Sequence, residues 1–355
     1  VLWESVKPHP AVRPVHDEPQ YVVERGGSGY LPDGAPQPSM VLTIGPPGSG
    51  KTTWARYVFG DHAVVAADDW FDRFNNGEFE VKHLRTAHNW CKSQVLERLR
   101  DGVSVVVNNT NTTLSEMFDY VAAVEFTPLP HRVVFARMPE RNADVLAKRG
   151  LHGVPKNKIK SFVRRIEMMG TPSILRVLQA GPMRNRDLQA TCQVLYVGVF
   201  FDKDTRESIA GTFLGNNPRS RLHARVCDFH VTMVFLPTPG QVEKAGIGQR
   251  VRVTLTGSLD HPEIQLLSVA LPNPAVAANV TNENPHITVA TRTVPPAVAN
   301  HMLRYATPVP LARGSVAVTG VVGAYLRGSG RIVTDAKALP AGWAVLPTKR
   351  RSNGS

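Results

Sequence analysis

Met40-Val41-Leu42-Thr43-Ile44-Gly45-Pro46-Pro47-Gly48-Ser49-Gly50-Lys51-Thr52-Thr53-Trp54-Ala55-Arg56-Tyr57-Val58 runs from a short β-rich apolar stretch, through a glycine-rich turn, into a segment of helical character. Strand, loop and helix in that order are the context that gives a Gly-x-x-x-x-Gly-Lys-Thr pattern its meaning as a P-loop. Glycine geometry frees backbone N–H groups to encircle a phosphate at the helix N-terminus, lysine neutralises its charge, and a hydroxyl reaches the accompanying magnesium. Gly45, Gly48, Ser49, Gly50, Lys51, Thr52 and Thr53 are therefore the expected binding residues for ATP or GTP, with Thr52 on Mg2+.

Working outward from the loop, short apolar runs at 62–66, 103–107 and 131–135 read as further strands. Residues 81–99, 114–124, 142–148 and 156–169 have helical apolar spacing. Alternating strands and helices predict an α/β domain over 40–190, a parallel sheet with helices on both faces. Upstream, 1–39 is broken by proline and glycine and reads as an extended arm or linker. A Gly/Pro-punctuated stretch at 170–190 separates this half from the second. Residues 191–345 hold mostly strand-like runs with few helical ones, an α+β composition, and 346–355 form a basic tail.

The totals bound the class. A length of 355 residues suits two domains, and no apolar run approaches the ~18–20 residues of a membrane span, so no membrane partner is expected. Cys91, Cys192 and Cys227 are scattered without paired or metal-ligand spacing, which favours a reducing, cytoplasmic setting, with the nucleus or a virion as other settings that fit. A net charge of +12 suits polyanionic partners. The chain starts at Val1 without a signal-peptide pattern, which suggests a piece of something longer, such as a polyprotein.

Asp68 and Asp69 follow the second strand at the carboxyl edge of the sheet, where open α/β folds bind ligands. Either could accept a proton from an attacking hydroxyl; capping the next helix or holding magnesium through water are the alternatives. Asn108-Asn109-Thr110-Asn111 end the next strand on the same edge. A strongly basic run from Arg132 to Arg165, with Arg149, Lys156, Lys158, Lys160 and Arg164 in it, suits a lid over a transferring phosphoryl group or a solvated face. Taken with Lys148-Arg149-Gly150 and Val154-Pro155, these motifs resemble, over about 40–170, the 5′-OH polynucleotide kinases. The resemblance implies Asp68 as general base and Arg149 as the lid arginine. Two positions depart from it: Phe71 stands where an arginine binds the acceptor phosphate, and Asn109 where an aspartate occurs.

In the second half, His230-Val231-Thr232-Met233 and His286-Ile287-Thr288-Val289 repeat one pattern. Strand alternation puts His and Thr of each on one face. If the strands pair, two imidazoles and two hydroxyls converge, an arrangement suited to metal-independent phosphodiester hydrolysis by an acid and a base. The pattern resembles the 2H phosphoesterase superfamily over about 192–345, with Leu195-Tyr196-Val197-Gly198-Val199 like its opening strand. That resemblance implies a bilobed sheet, His230, Thr232, His286 and Thr288 as catalytic residues, and a 2′,3′-cyclic phosphate opened to a 2′-phosphate. Kinase followed by 2H domain is the order in the end-healing part of fungal tRNA ligases, so the expected partners are nucleoside triphosphate and RNA ends, in a longer polyprotein or ligase-containing assembly. The alternatives are a phosphodiesterase alone, acting on cyclic nucleotide or 2′,5′-oligoadenylate, and a non-catalytic RNA-binding module.

Overall fold

The computed structural model describes residues 20–24, 37–127, 129–150, 153–183, 192–218, 221–222, 225–327 and 329–344; the basic tail and most of the 1–39 arm lie outside them. The chain divides into two compact units between Met183 and Arg184. No helix among the described residues is long and apolar enough to cross a membrane.

The first unit contains five strands, β1 (Gln20–Glu24), β2 (Ser39–Ile44), β3 (Val64–Val65), β4 (Val105–Val107) and β5 (Arg132–Arg137), ordered β1-β5-β2-β4-β3. β2 pairs parallel with both β4 and β5, and β3 with β4. β1, inside the segment expected to be an arm, adds to β5 as an antiparallel edge. Every residue of β2 is buried, the mark of a strand covered on both faces. Val41 packs against Trp54, Ala55 and Val58 of α1 (Lys51–Phe59), while Met40 and Leu42 point to the opposite face and are equally buried.

The remaining helices are α2 (Asp68–Phe74), α3 (Leu84–Arg100), α4 (Leu114–Glu125), α5 (Ala143–Arg149), α6 (Lys156–Met169) and α7 (Ile174–Ala180). α6 turns Ile159, Ile166 and Met169 inward and leaves Lys158, Lys160 and Arg164 exposed. α7 occupies the punctuated stretch read as a separator: Ser173 caps it through the Arg176 N–H at 3.1 Å, and Val177 and Leu178 are buried. The run at 62–66 yields only a two-residue strand, because a 3-10 turn takes Asp61–Ala63.

The second unit is built from β6 (Val194–Phe200), α8 (Lys203–Asn216), β7 (Arg225–Val226), β8 (His230–Phe235), α9 (Pro239–Lys244), β9 (Arg250–His261), β10 (Ile264–Ala270), α10 (Pro274–Ala277), β11 (His286–Thr291), α11 (Val298–Tyr305), β12 (Val309–Pro310), β13 (Val316–Leu326) and β14 (Ile332–Val333). Its strands run β12-β9-β10-β11-β8-β6-β13-β14, and β9 pairs β13 as well. The strands from β9 to β13 thus close on themselves where the 2H resemblance implies two lobes. Length explains the closure: β9 has 12 residues and β13 has 11, enough for each to pair with three neighbours. The narrowest join is β8 to β11, which share one paired position, Val231 with Ile287. Beside it, the β6–β8 register shifts between Val197 and Gly198, where β8 carries an extra residue, Met233. A Cβ on Gly198 would stand 2.5 Å from the Val231 carbonyl oxygen, so only glycine allows β6 this close to β8.

Candidate functional site

The first unit gathers its polar groups where β2, β3 and β4 end. Gly48 and Gly50 take φ of 79° and 83°, the left-handed region that glycine enters freely. A Cβ on Gly48 would lie 2.2 Å from the Leu146 carbonyl oxygen, so the backbone of α5 rests directly on the loop. Lys51 is buried, its Nζ donating to the Pro46 carbonyl at 2.9 Å. Burial pulls its pKa down to about 8, against the opposing attraction of Asp68. Thr52 Oγ1 accepts from Asn108 Nδ2 at 2.9 Å. Asn108 Oδ1 and Ser49 Oγ are buried without a hydrogen-bond partner. Buried orphan polar atoms are costly in a finished interior. A desolvated lysine, two such atoms and a hydroxyl at a helix start fit a triphosphate with magnesium, which Thr52 would hold.

The two aspartates have different surroundings. Asp69 is half-buried, and its Oδ2 accepts the Ala66 N–H at 2.7 Å; burial raises its pKa. It is committed to fixing the start of α2. Asp68 is exposed at the first residue of the same helix, within electrostatic reach of Lys51. Asn109 accepts the Ala67 N–H at 2.9 Å and donates to Tyr120 Oη at 3.3 Å, so it braces the backbone just before Asp68. Arg149 ends α5, where Nη1 is 3.8 Å from Glu140 Oε2.

Two residues without a motif also face this edge. His88 of α3 has its pKa lowered by burial first and then by Lys92, with Glu116 and Asp68 pulling the other way. Glu116, at the start of α4, accepts the Thr112 N–H at 2.6 Å and approaches Arg165 of α6 at 3.7 Å. Helical spacing alone gives neither a functional signal.

In the second unit the antiparallel pairing of Val231 with Ile287 sets His230 across from Thr288, and Thr232 across from His286. All four share the face opposite Val231 and Ile287, both fully buried. The imidazoles are held alike: His230 Nδ1 meets the Asp228 carbonyl at 2.7 Å, and His286 Nδ1 the Asn284 carbonyl at 2.8 Å. A carbonyl only accepts, so Nδ1 carries the proton and Nε2 is left unprotonated in the neutral ring. Burial lowers both pKa values, and His230 lowers that of His286 further. Beside His230 stand rings the motifs did not disclose. Tyr196 stacks on it at 4.9 Å between centroids and on Tyr325 at 4.8 Å, and Phe200 lies 5.7 Å from it.

Fold and loop together define a P-loop unit. Residues 40–168 match the family described as an AAA domain. Human NEDD4-binding protein 2 is 34% identical over 136 residues, which are 36% of this chain; the chain spans 8% of that relative's length. Among solved structures, a chain of the Pnkp1/Rnl/Hen1 RNA repair complex is similar at a TM-score of 0.32 and 22% identity, over 37% of this chain and 45% of that one. A second structure of the Pnkp1/Rnl/Hen1 complex gives 0.28 and 23%, over 33% and 40%.

Proposed function

We propose that the chain processes RNA ends, phosphorylating a 5′-OH with its first unit and opening a 2′,3′-cyclic phosphate to a 2′-phosphate with its second. The observation that carries the reading is the mirrored pair of His-x-Thr strands, joined at Val231 and Ile287 with both Nδ1 atoms tied to backbone carbonyls. A 2′,3′-cyclic end requires a 2′-hydroxyl, so the nucleic acid is RNA, and the basic composition agrees with such a partner.

In the first unit Lys51 and the loop N–H groups hold the β,γ-phosphates, and Thr52 supplies a hydroxyl to magnesium. The metal, when bound, spreads the charge of the transferring group. Asp68 takes the proton from the 5′-hydroxyl, and Arg149 leaves Glu140 for the phosphates. In the second unit one histidine takes a proton from water as its oxygen attacks phosphorus. The phosphorus–O3′ bond breaks, and the other histidine, protonated beforehand, gives its proton to O3′. Thr232 and Thr288 donate to the non-bridging oxygens.

Transfer of labelled γ-phosphate to a 5′-OH oligoribonucleotide tests the first half, and Asp68→Ala is expected to reduce it about 10²–10⁴-fold. Full activity of that variant would remove Asp68 from the mechanism. A second reading, phosphodiesterase alone with the P-loop unit as a binding platform, is favoured by Asn108, an amide where a carboxylate would bind magnesium more strongly. Cyclic phosphate hydrolysis without any transfer would establish that reading instead.

Acid–base pairing also predicts a pH profile. One histidine must be charged and one neutral, and burial holds both below the ordinary value of about 6.5. The bell in kcat/KM for a 2′,3′-cyclic nucleotide, which reports the free enzyme, is therefore expected to peak on the acid side of 6.5. A maximum above 7.5 would contradict neutral, desolvated imidazoles.

A further inference from the structure

We infer that the ring-covered surface formed by α2 and the segment leading into α3 stacks the unpaired bases of an RNA 5′ end and feeds that end to Asp68. Trp70, Phe71, Phe74, Phe79, His83 and Trp90 form one connected group. Trp70 meets Phe71 at 5.2 Å, Phe74 at 5.8 Å and His83 at 5.4 Å, Phe71 meets Phe79 at 5.1 Å, and Phe74 meets Trp90 at 6.2 Å. Only Phe71 is fully buried and forms the floor; Phe74 is 56% and Phe79 58% exposed, with Trp70, His83 and Trp90 half-buried. Rings left open to water in this number are not needed to close the core.

Two observations favour RNA as the occupant. The surface is continuous with the proposed site: α2 begins at Asp68, and Phe74 lies about 9 Å further along the axis at 1.5 Å per residue. Its chemistry is that of a stacking platform, rings with Val81 as its exposed aliphatic neighbour, which accepts any base by its π-face. Its charges are mixed, with Asp72 and Glu78 exposed beside Arg73, so the rings rather than the charge select the occupant. Glu80 is matched by Lys82 at 3.0 Å and His83 at 3.3 Å, and Asp69 by a backbone N–H, while the exposed Arg73 lies 5.5 Å over the Trp90 ring.

The inference rests on the 5′-kinase reading for its purpose, but the test separates the two. The probe is a labelled single-stranded oligoribonucleotide with 5′- and 3′-hydroxyl ends, so that the second unit has no substrate on it. The full chain and its Phe74→Ser/Phe79→Ser variant, altered only at exposed positions, are compared by fluorescence anisotropy. The variant is expected to bind at least about tenfold more weakly, and to show a raised KM for this RNA with unchanged KM for ATP. A recessed 5′ end in a duplex should lose nothing. If the parent protein transfers no phosphate but the binding loss remains, the kinase reading fails and the platform stands. Equal binding of parent and variant would overturn the platform. So would a change of oligomeric state in sedimentation as the sole effect, which would assign the surface to protein contact.

Discussion

Replacing His286 with alanine is expected to slow hydrolysis of a 2′,3′-cyclic nucleotide by about 10²–10⁴-fold, the range for loss of a positioned acid or base. The same loss is expected for His230→Ala. Because one group gives the proton that the other's reaction requires, the double variant should fall little below either single one. Transfer of γ-phosphate by the first unit should not change in any of the three. His286 is 7% exposed and its ring is held to the Asn284 carbonyl. Truncation therefore leaves a small cavity, and His286→Asn, which keeps more of the volume, provides the control. If the asparagine variant retains activity within about threefold of the parent, the imidazole is structural and the pair does no acid–base work.

What could be read from the chain was whatever is local. The strand, loop and helix around Lys51 are contiguous, and each tetrapeptide declares its own strand by alternation. Helix α6 is likewise legible, since its inward Ile159, Ile166 and Met169 recur at helical spacing. Features made by distant segments were not. Tyr196 and Tyr325 meet only because β6 and β13 pair in that register, and no window of sequence contains both. Closure of the second sheet through β9 and β13 depends on two long strands finding each other across the unit. α7 was hidden by the Gly170 and Gly181 that bound it, punctuation that reads as loop until Ser173 is seen to cap the turn. The residues alone leave Asp68 and Asp69 equivalent, because adjacent identical residues differ only in what the fold points them at, and only the kinase resemblance prefers Asp68. The Ala66 N–H selects Asp69 and leaves the other free.

The same separation of local motif from environment gives Lys51→Met two opposite effects. The motif requires a cation, yet the fold buries it, lowering its pKa from 10.5 to about 8. At 1.36 kcal/mol per unit, the charged form costs the nucleotide-free unit on the order of 3 kcal/mol. A lysine depressed on folding binds its proton more tightly in the unfolded chain. The cost is therefore present in full below pH 8, shrinks between pH 8 and 10.5 as the folded protein releases the proton, and is gone above that. Methionine fills similar volume with no charge and gives up the charge-assisted bond to Pro46, worth about 1.5–3 kcal/mol. The nucleotide-free variant should thus be at least as stable as the parent at pH 7, by up to about 1.5 kcal/mol. A bound triphosphate reverses the order, because its anionic oxygens lie against the buried ammonium and offset its desolvation. Thermal melts with and without ATP and magnesium check both effects: a large upward shift for the parent, and an equal or higher starting point with little or no shift for the variant. A variant that melts lower than the parent without nucleotide would show that Lys51 supports the loop rather than straining it.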